Sequence, residues 1–320
     1  LAGLLSASGM EAPAEPFDID VEVIGVRAGY RLDQVAASVA GEQLSLSGMV
    51  GRDPFAAATA VDIQFNSAAL KRALAAYGVV VPQMPEGKLT TLARLSGNGV
   101  SLRLEDVVID YVGTRARLEG DLGAFPELDG TDLKFDVRGQ NLAWLLPPEQ
   151  RYEGIDKPFS LTGGLAMDDQ VLSIDKAVFA LDNAKVELHG HWGLDSEDTH
   201  GGVDMTVHSP DIRPLLPPAD RAEMARVFPV DAQLSGNWRG DLWSIKKLDV
   251  RASDGHLIAS GTLIGPPDFG DTKLSVNGKF VSLARFNRIL GQDLPDLPAT
   301  IELDLKGDGD RLRLKPMSLR

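Results

Sequence analysis

A pattern of about seventy residues recurs along this chain, and recurrence at a fixed period restricts a chain to a stacked array of like repeats. A short extended segment ends in glycine at Gly25, Gly97, Gly163, Gly236 and Gly307, positions 72, 66, 73 and 71 apart. A second marker keeps step at Gly48, Gly120, Gly190 and Gly261, spaced 72, 70 and 71. A third is a helix-like segment opening at Ser67, Asn141, Pro210 and Ser282. Each member of such an array buries its apolar side against its neighbours, so function is sought in an extended surface. The markers divide the chain into the tail of a preceding repeat (1–16), four repeats (17–87, 88–157, 158–228 and 229–298) and the start of a fifth (299–320).

Within a repeat the apolar residues alternate with period two, the mark of strands with one dry and one wet face. In the second repeat Val100, Leu102 and Leu104 alternate with Ser101, Arg103 and Glu105, and Val107, Ile109 and Tyr111 follow against Val108 and Asp110. Leu118 and Leu122 oppose Arg117, Glu119 and Asp121; Leu133, Phe135 and Val137 oppose Lys134, Asp136 and Arg138. With Leu89 to Gly97 as an opening strand, this reads as about five antiparallel strands per repeat, about 21 in all, joined by hairpins. Asn141 is placed to cap a turn or two of helix that Pro147 and Pro148 stop.

The other repeats use the same grammar. The first offers Phe17, Ile19 and Val21, then Val61, Ile63 and Phe65, and a longer helix with Ala69, Leu70, Ala73 and Leu74 on one side. The third offers Val186, Leu188 and Trp192 against Lys185, Glu187, His189 and His191, followed by Val203, Met205 and Val207. The fourth has Leu257, Leu263, Leu274 and Val276, and the fifth opens with Ile301, Leu303 and Leu305. All these apolar side chains are candidates for one continuous lining. Between Ala177 and Leu181 both sides are apolar, and the inward one stays open. The short helices carry too few leucines to cover such a lining. Either the sheet curls so that the face shields itself, or something else lies against it.

Composition narrows the function classes. A formal net charge of −14 argues against nucleic acid, whose phosphates need a cationic face. The chain has no cysteine, which removes disulfides, thiolate catalysis and cysteine zinc sites. No apolar run approaches the roughly 20 residues of a membrane span, and no signal-peptide pattern is visible. Beginning without methionine and stopping inside a repeat, the chain reads as an internal piece of something longer.

Sites for chemistry are sparse. His189-Gly190-His191 puts two imidazoles on one side of a strand, but that side is the wet one and no third metal ligand stands nearby. Gly307 to Asp310 resembles part of a calcium loop without its remaining oxygens and reads as a hairpin turn. Asp168-Asp169 and the acidic run from Asp195 to Asp198 suit turns as well as paired carboxylates. No nucleophile elbow, zinc-protease motif or phosphate-cradling loop is present. Trp144, Trp192, Trp238 and Trp243 read as packing residues first and lipid contacts second. The expectation is no enzyme activity, no cofactor and no metal.

The repeat layout, its short "N-L-x-x-L-L-P" segment at Asn141 to Pro147, and strand texture such as Val100 to Asp110 and Ala116 to Gly123 resemble the AsmA-like family. That family belongs to the bridge-like lipid transfer proteins with repeating β-groove modules, to which TamB-type proteins are related. The resemblance runs from Phe17 to Arg320 and implies a mainly β fold: an elongated, curled antiparallel sheet with an apolar groove inside. It implies a periplasmic protein of a Gram-negative bacterium, anchored in the inner membrane through a segment absent from this chain. Its groove would hold or conduct acyl chains of phospholipid, or another acyl lipid, between inner and outer membrane, with membrane proteins as partners at the ends of the longer protein. The alternative is a structural or interaction module, or a TamB-like chaperone of outer-membrane protein assembly.

Overall fold

A computed structural model describes residues 17–39, 42–76, 81, 85–123, 128–146, 151, 154–194, 199–213, 229–264, 270–282, 284, 295–308 and 311–314. The chain is mainly β, and it divides into two compact halves, Leu1–Asp169 and Gln170–Arg320. The first half contains β1 (Phe17–Val26), β2 (Gly29–Val39), β3 (Glu42–Gly51), β4 (Ala60–Ser67), β5 (Leu89–Gly97), β6 (Leu102–Tyr111), β7 (Thr114–Leu122), β8 (Thr131–Gly139) and β9 (Phe159–Asp168). Each pairs antiparallel with the next, in chain order. The second half contains β10 (Val171–Leu181), β11 (Ala184–Gly193), β12 (His200–Ser209), β13 (Val230–Arg239), β14 (Leu242–Ala252), β15 (Gly255–Ile264), β16 (Lys273–Phe280), β17 (Ala299–Asp308) and β18 (Arg311–Leu314). These too pair antiparallel in chain order.

Among the described residues, helical structure stands at the ends of repeats: helix α1 (Leu70–Ala76) follows β4, and a 3₁₀ turn (Leu142–Leu145) follows β8. Asn141 caps that turn as its sequence position suggests, its side-chain oxygen accepting from the Ala143 N–H at 2.9 Å. Most of the helix-like segments following Pro210 and Ser282 (214–228, 283 and 285–294), the tail 1–16, and Pro147 and Pro148 lie outside the described residues.

The strand count corrects the sequence reading. A repeat has four strands, not about five: β1–β4, β5–β8, β9–β12 and β13–β16, with β17 and β18 opening the next. The division between halves falls in the turn after β9, inside the third repeat. The extra strand came from a bulge. Leu104 pairs with Gly120 and Val107 with Leu118, so Glu105 and Asp106 together oppose the single residue Glu119. The alternation slips by one there, which in sequence looks like the end of one strand and the start of another.

That bulge recurs on the second strand of every full repeat. Asp33-Gln34 oppose Ser47, Asp175-Lys176 oppose His189, and Lys246-Lys247 oppose Ser260. The glycine marker is the residue just after each opposing position: Gly48, Gly120, Gly190 and Gly261. Three of them have left-handed φ values of 124°, 128° and 136°. A Cβ on Gly120 would lie 2.0 Å from the Asp132 carbonyl oxygen of the next strand. The seventy-residue glycine period is therefore the period of a backbone irregularity that only glycine fits.

Gly120→Ala is expected to cost about 1–3 kcal/mol, the usual range for a strained backbone position. Gly25→Ala, where a Cβ meets nothing within 4 Å, should be close to neutral. The check is a denaturant midpoint that falls for the first substitution and not the second, with the transition slope unchanged.

Candidate functional site

Because directly paired residues of an antiparallel sheet share a face, the register lists which side chains stand in line across the strands. In the first half one row runs Val23, Leu32, Gly48, Val61, Leu95, Leu104, Gly120, Leu133 and Leu165. The next contains Val21, Val35, Leu46, Ile63 and Ala93, then Val107, Leu118, Phe135 and Gly163. A third runs Ile19, Ala37, Leu44, Phe65, Thr91, Ile109, Ala116, Val137 and Leu161. No charged side chain interrupts any of them. The bulges make this possible: a spacing of three, Leu104 to Val107, is set against a spacing of two, Gly120 to Leu118, so both ends stay on one face.

The second half repeats the arrangement. Its rows are Ile174, Gly190, Val203, Gly236, Ile245, Gly261, Leu274 and Leu305; Ala177, Leu188, Met205, Leu234, Leu248, Ala259, Val276 and Leu303; and Phe179, Val186, Val207, Ala232, Val250, Leu257, Gly278 and Ile301. This settles the segment from Ala177 to Leu181: Ala177, Phe179 and Leu181 share the apolar face, and Val178 and Ala180 take the other.

Burial is uneven across the face in a systematic way. At one end of the strands Ser67, Thr114, Phe159, Leu181, Ala184, Ser209 and Ala299 are buried. At the other end Thr59, Thr131 and Thr272 are buried. Each of these threonines accepts a backbone N–H through its hydroxyl, from Gly51 at 2.9 Å, Gly123 at 3.0 Å and Ile264 at 3.1 Å. The latch ties the connection between third and fourth strands back to the sheet. Between these two rims Val61, Val107, Ala177 and Ala259 are buried and most other lining residues are half-buried; the exposed ones, Ile19, Val21 and Val23 at 40%, 54% and 42%, all stand on β1. The chain itself does not fill the lane.

Nearly all the sequence candidates belong to this face. Val61, Leu104, Leu133, Val203, Leu274 and Leu305 stand in the first rows given, and Val21, Ile63, Leu118, Phe135, Leu188, Met205, Val276 and Leu303 in the middle ones. Ile19, Phe65, Val137, Val186, Val207, Leu257 and Ile301 complete the third. Leu102, Leu122, Trp192 and Leu263 lie toward the threonine rim, and Phe17 pairs with Val39 at the end of β1. Val100 is the misplaced one: it sits in the bend before β6, 80% exposed, where the Asn98 side chain accepts its N–H and ends the strand pattern. What sequence reasoning missed is the second strand of the first, third and fourth repeats, with Leu32 and Val35, Ile174 and Phe179, and Ile245, Leu248 and Val250, together with Leu44 and Leu46 on β3, Leu161 and Leu165 on β9 and Leu234 on β13. The bulge hid the second strands by breaking the alternation, and the slip recurring beside each marker glycine is the signal that finds them.

The opposite face is charged and laced with exposed ion pairs, Arg94 with Asp62 at 2.8 Å, Arg103 with Asp121 at 3.0 Å and Arg115 with Asp110 at 2.8 Å. Hydrogen bonds from Arg115 and Arg103 hold Asp110 and Asp121 below the ordinary carboxylate range. His189 and His191 are on this face; His189 Nδ1 lies 3.4 Å from Asp175 Oδ1, and both histidines border an open cleft of about 570 Å³ with Asp204, Asn237 and Lys246. Among the described residues the carboxylates of Asp129, Asp168 and Asp169 approach within 4.8 Å, all exposed, and Asp129 accepts the Asp169 N–H at 2.8 Å, a turn contact. Asp195 to Asp198, Gly309 and Asp310 lie outside the described residues.

Among the described residues, Asp249 is a buried carboxylate whose charge state is tuned by its neighbours. His256 Nε2, 2.9 Å away, holds it below the ordinary range, with Arg251 adding to the effect. Among the described residues no helix is long and apolar enough to cross a membrane. Comparison with protein-family models, with curated proteins and with solved structures finds no match to this chain.

A depressed folded pKa stabilises above the unfolded value, about 3.9 for aspartate, and that stabilisation is lost as pH falls through the folded value. The stability gap between the protein and its Asp249→Asn variant should therefore be widest near neutrality and shrink as the pH drops below about 4. Unfolding midpoints measured across that range check it, and a gap independent of pH contradicts it.

Proposed function

We propose that this chain is a carrier segment for phospholipid, holding acyl chains against the apolar rows and letting them move along the strands' stacking direction. The observation that carries the reading is the unbroken, half-exposed lining between two closed rims. Each methylene withdrawn from water against such a surface is worth about 0.8 kcal/mol, without any dedicated pocket. Burial of this kind is not directional, so successive rows offer near-equal positions, and near-equal positions favour sliding over capture. The charged face opposite keeps the other side solvated. No bond chemistry is part of the proposal.

The resemblance to AsmA-like proteins supports the same reading and supplies its setting: a protein tethered at the inner membrane of a Gram-negative bacterium, moving phospholipid across the periplasm toward the outer membrane. The repeat layout and strand texture support that setting by analogy, which is a weaker support than geometry.

Native mass spectrometry and lipid extraction of the purified chain should reveal copurifying phospholipid. Leu234→Glu places a carboxylate in the middle row of the second half without touching a closed rim. Loss of about two methylenes' worth of burial there corresponds to roughly tenfold weaker retention. A lipid-free protein, or crosslinks that trap polypeptide strands and never lipid, would remove the carrier reading and leave an interaction module in its place.

A further inference from the structure

The threonine rim is interrupted in the third repeat, and tryptophan occupies the gap. The connections between third and fourth strands span residues 52–59, 123–130 and 265–272 in the other repeats, eight residues each, but 194–199 in the third, which is six. Where the others present a latched threonine, the third presents Gly201. The register sets Trp192 opposite Gly201, Gly201 opposite Trp238, and Trp238 opposite Trp243, all on the apolar face. The rings touch in sequence: Trp192 and Trp238 have centroids 6.1 Å apart at 50°, and Trp238 and Trp243 stack at 5.0 Å and 25°. Glycine is required between them, since a Cβ on Gly201 would lie 2.2 Å from the Trp238 ring.

This shelf is more than packing, because Trp243 remains 44% exposed on the apolar face of a half whose three rows carry Phe179 as their one aromatic residue. Polarity changes in steps across it. On one side are the aliphatic rows of Val203, Leu234 and Leu248; at the shelf are three indoles; beyond them β13 ends in the turn at Gly240 and Asp241, with Arg239 and His200 paired on the charged face. Indole has an apolar body and a single N–H donor, and it partitions to the boundary where acyl chain meets ester and headgroup. A glycerophospholipid has the matching sequence of hydrocarbon, then ester carbonyls that can accept from an indole N–H, then a headgroup that stays in water.

We propose that the Trp192–Trp238–Trp243 shelf is the point at which the ester region of a bound glycerophospholipid crosses the rim, with its tails lying along the aliphatic rows and its headgroup in water beyond the shelf. The inference rests on the carrier reading and adds an orientation and a location to it. The shelf replaces the latch so that a headgroup can stay outside while the tails stay in.

The test uses the full chain carrying Trp144→Phe, which leaves the three shelf tryptophans as the only indoles. It is loaded with phosphatidylcholine brominated either at carbons near the ester or near the tail end, and bound lipid is counted by native mass spectrometry. At equal occupancy, fluorescence should be lost more strongly with the near-ester bromines than with the tail-end ones. Equal quenching, or stronger quenching by the tail-end bromines, overturns the shelf assignment while leaving lipid carriage intact. No bound lipid at all overturns both.

Discussion

Strand register is the constraint on which everything else in this protein depends. Backbone pairing fixes which residues stand side by side, and because side chains alternate, a slip of one residue would send a whole strand's apolar set to the charged face. Each repeat contains one such slip by design, at the second strand, and absorbs it as a two-against-one bulge. Leu104 and Val107, three apart, stay in line with Gly120 and Leu118, two apart. Without the bulge the rows would break at every repeat. With it, the aliphatic lining crosses the strands of each half without a charge.

The rims depend on that lining being in register. Buried serine, threonine and apolar residues close one strand end, and latched threonines close much of the other, with a mostly half-buried lining between them. The exposure that remains on the apolar face is largest on β1, at Ile19, Val21 and Val23, and at Tyr30 and Trp243 toward the threonine end. The third repeat departs from its neighbours at a single place, exchanging a threonine latch for glycine and indole. Departures from a strict repeat mark places where a position has acquired a task the others lack.

The two faces divide the work. Ion pairs such as Arg103 with Asp121 contribute little to stability when exposed, but they keep one face solvated and oppose pairing with other apolar surfaces. The apolar face gains from anything that covers it, and an acyl chain covers it without demanding direction or sequence. A surface assembled from near-identical rows is suited to movement along itself in a way that a pocket is not.

The repeat, the mainly β class, the dry side of the fourth strands, of most third strands and of β1, β6 and β17, and the cap at Asn141 were legible in the amino-acid order, because period-two alternation and local side-chain hydrogen bonds are short-range properties. The second strands of the first, third and fourth repeats were not, since a bulge is defined by a partner strand and has no local signature beyond a broken alternation; Ile174 and Leu248 could be placed only once Gly190 and Ala259 stood opposite them. The same holds for Val100, whose alternation continued past the point where Asn98 had turned the chain, and for the shelf, since Trp192, Trp238 and Trp243 are up to 51 positions apart in sequence. Sequence alone determined that an apolar face exists and how often it recurs. Tertiary pairing decided that the face is continuous, where it is closed and where indoles line it, because those properties belong to neighbours across strands and not along them.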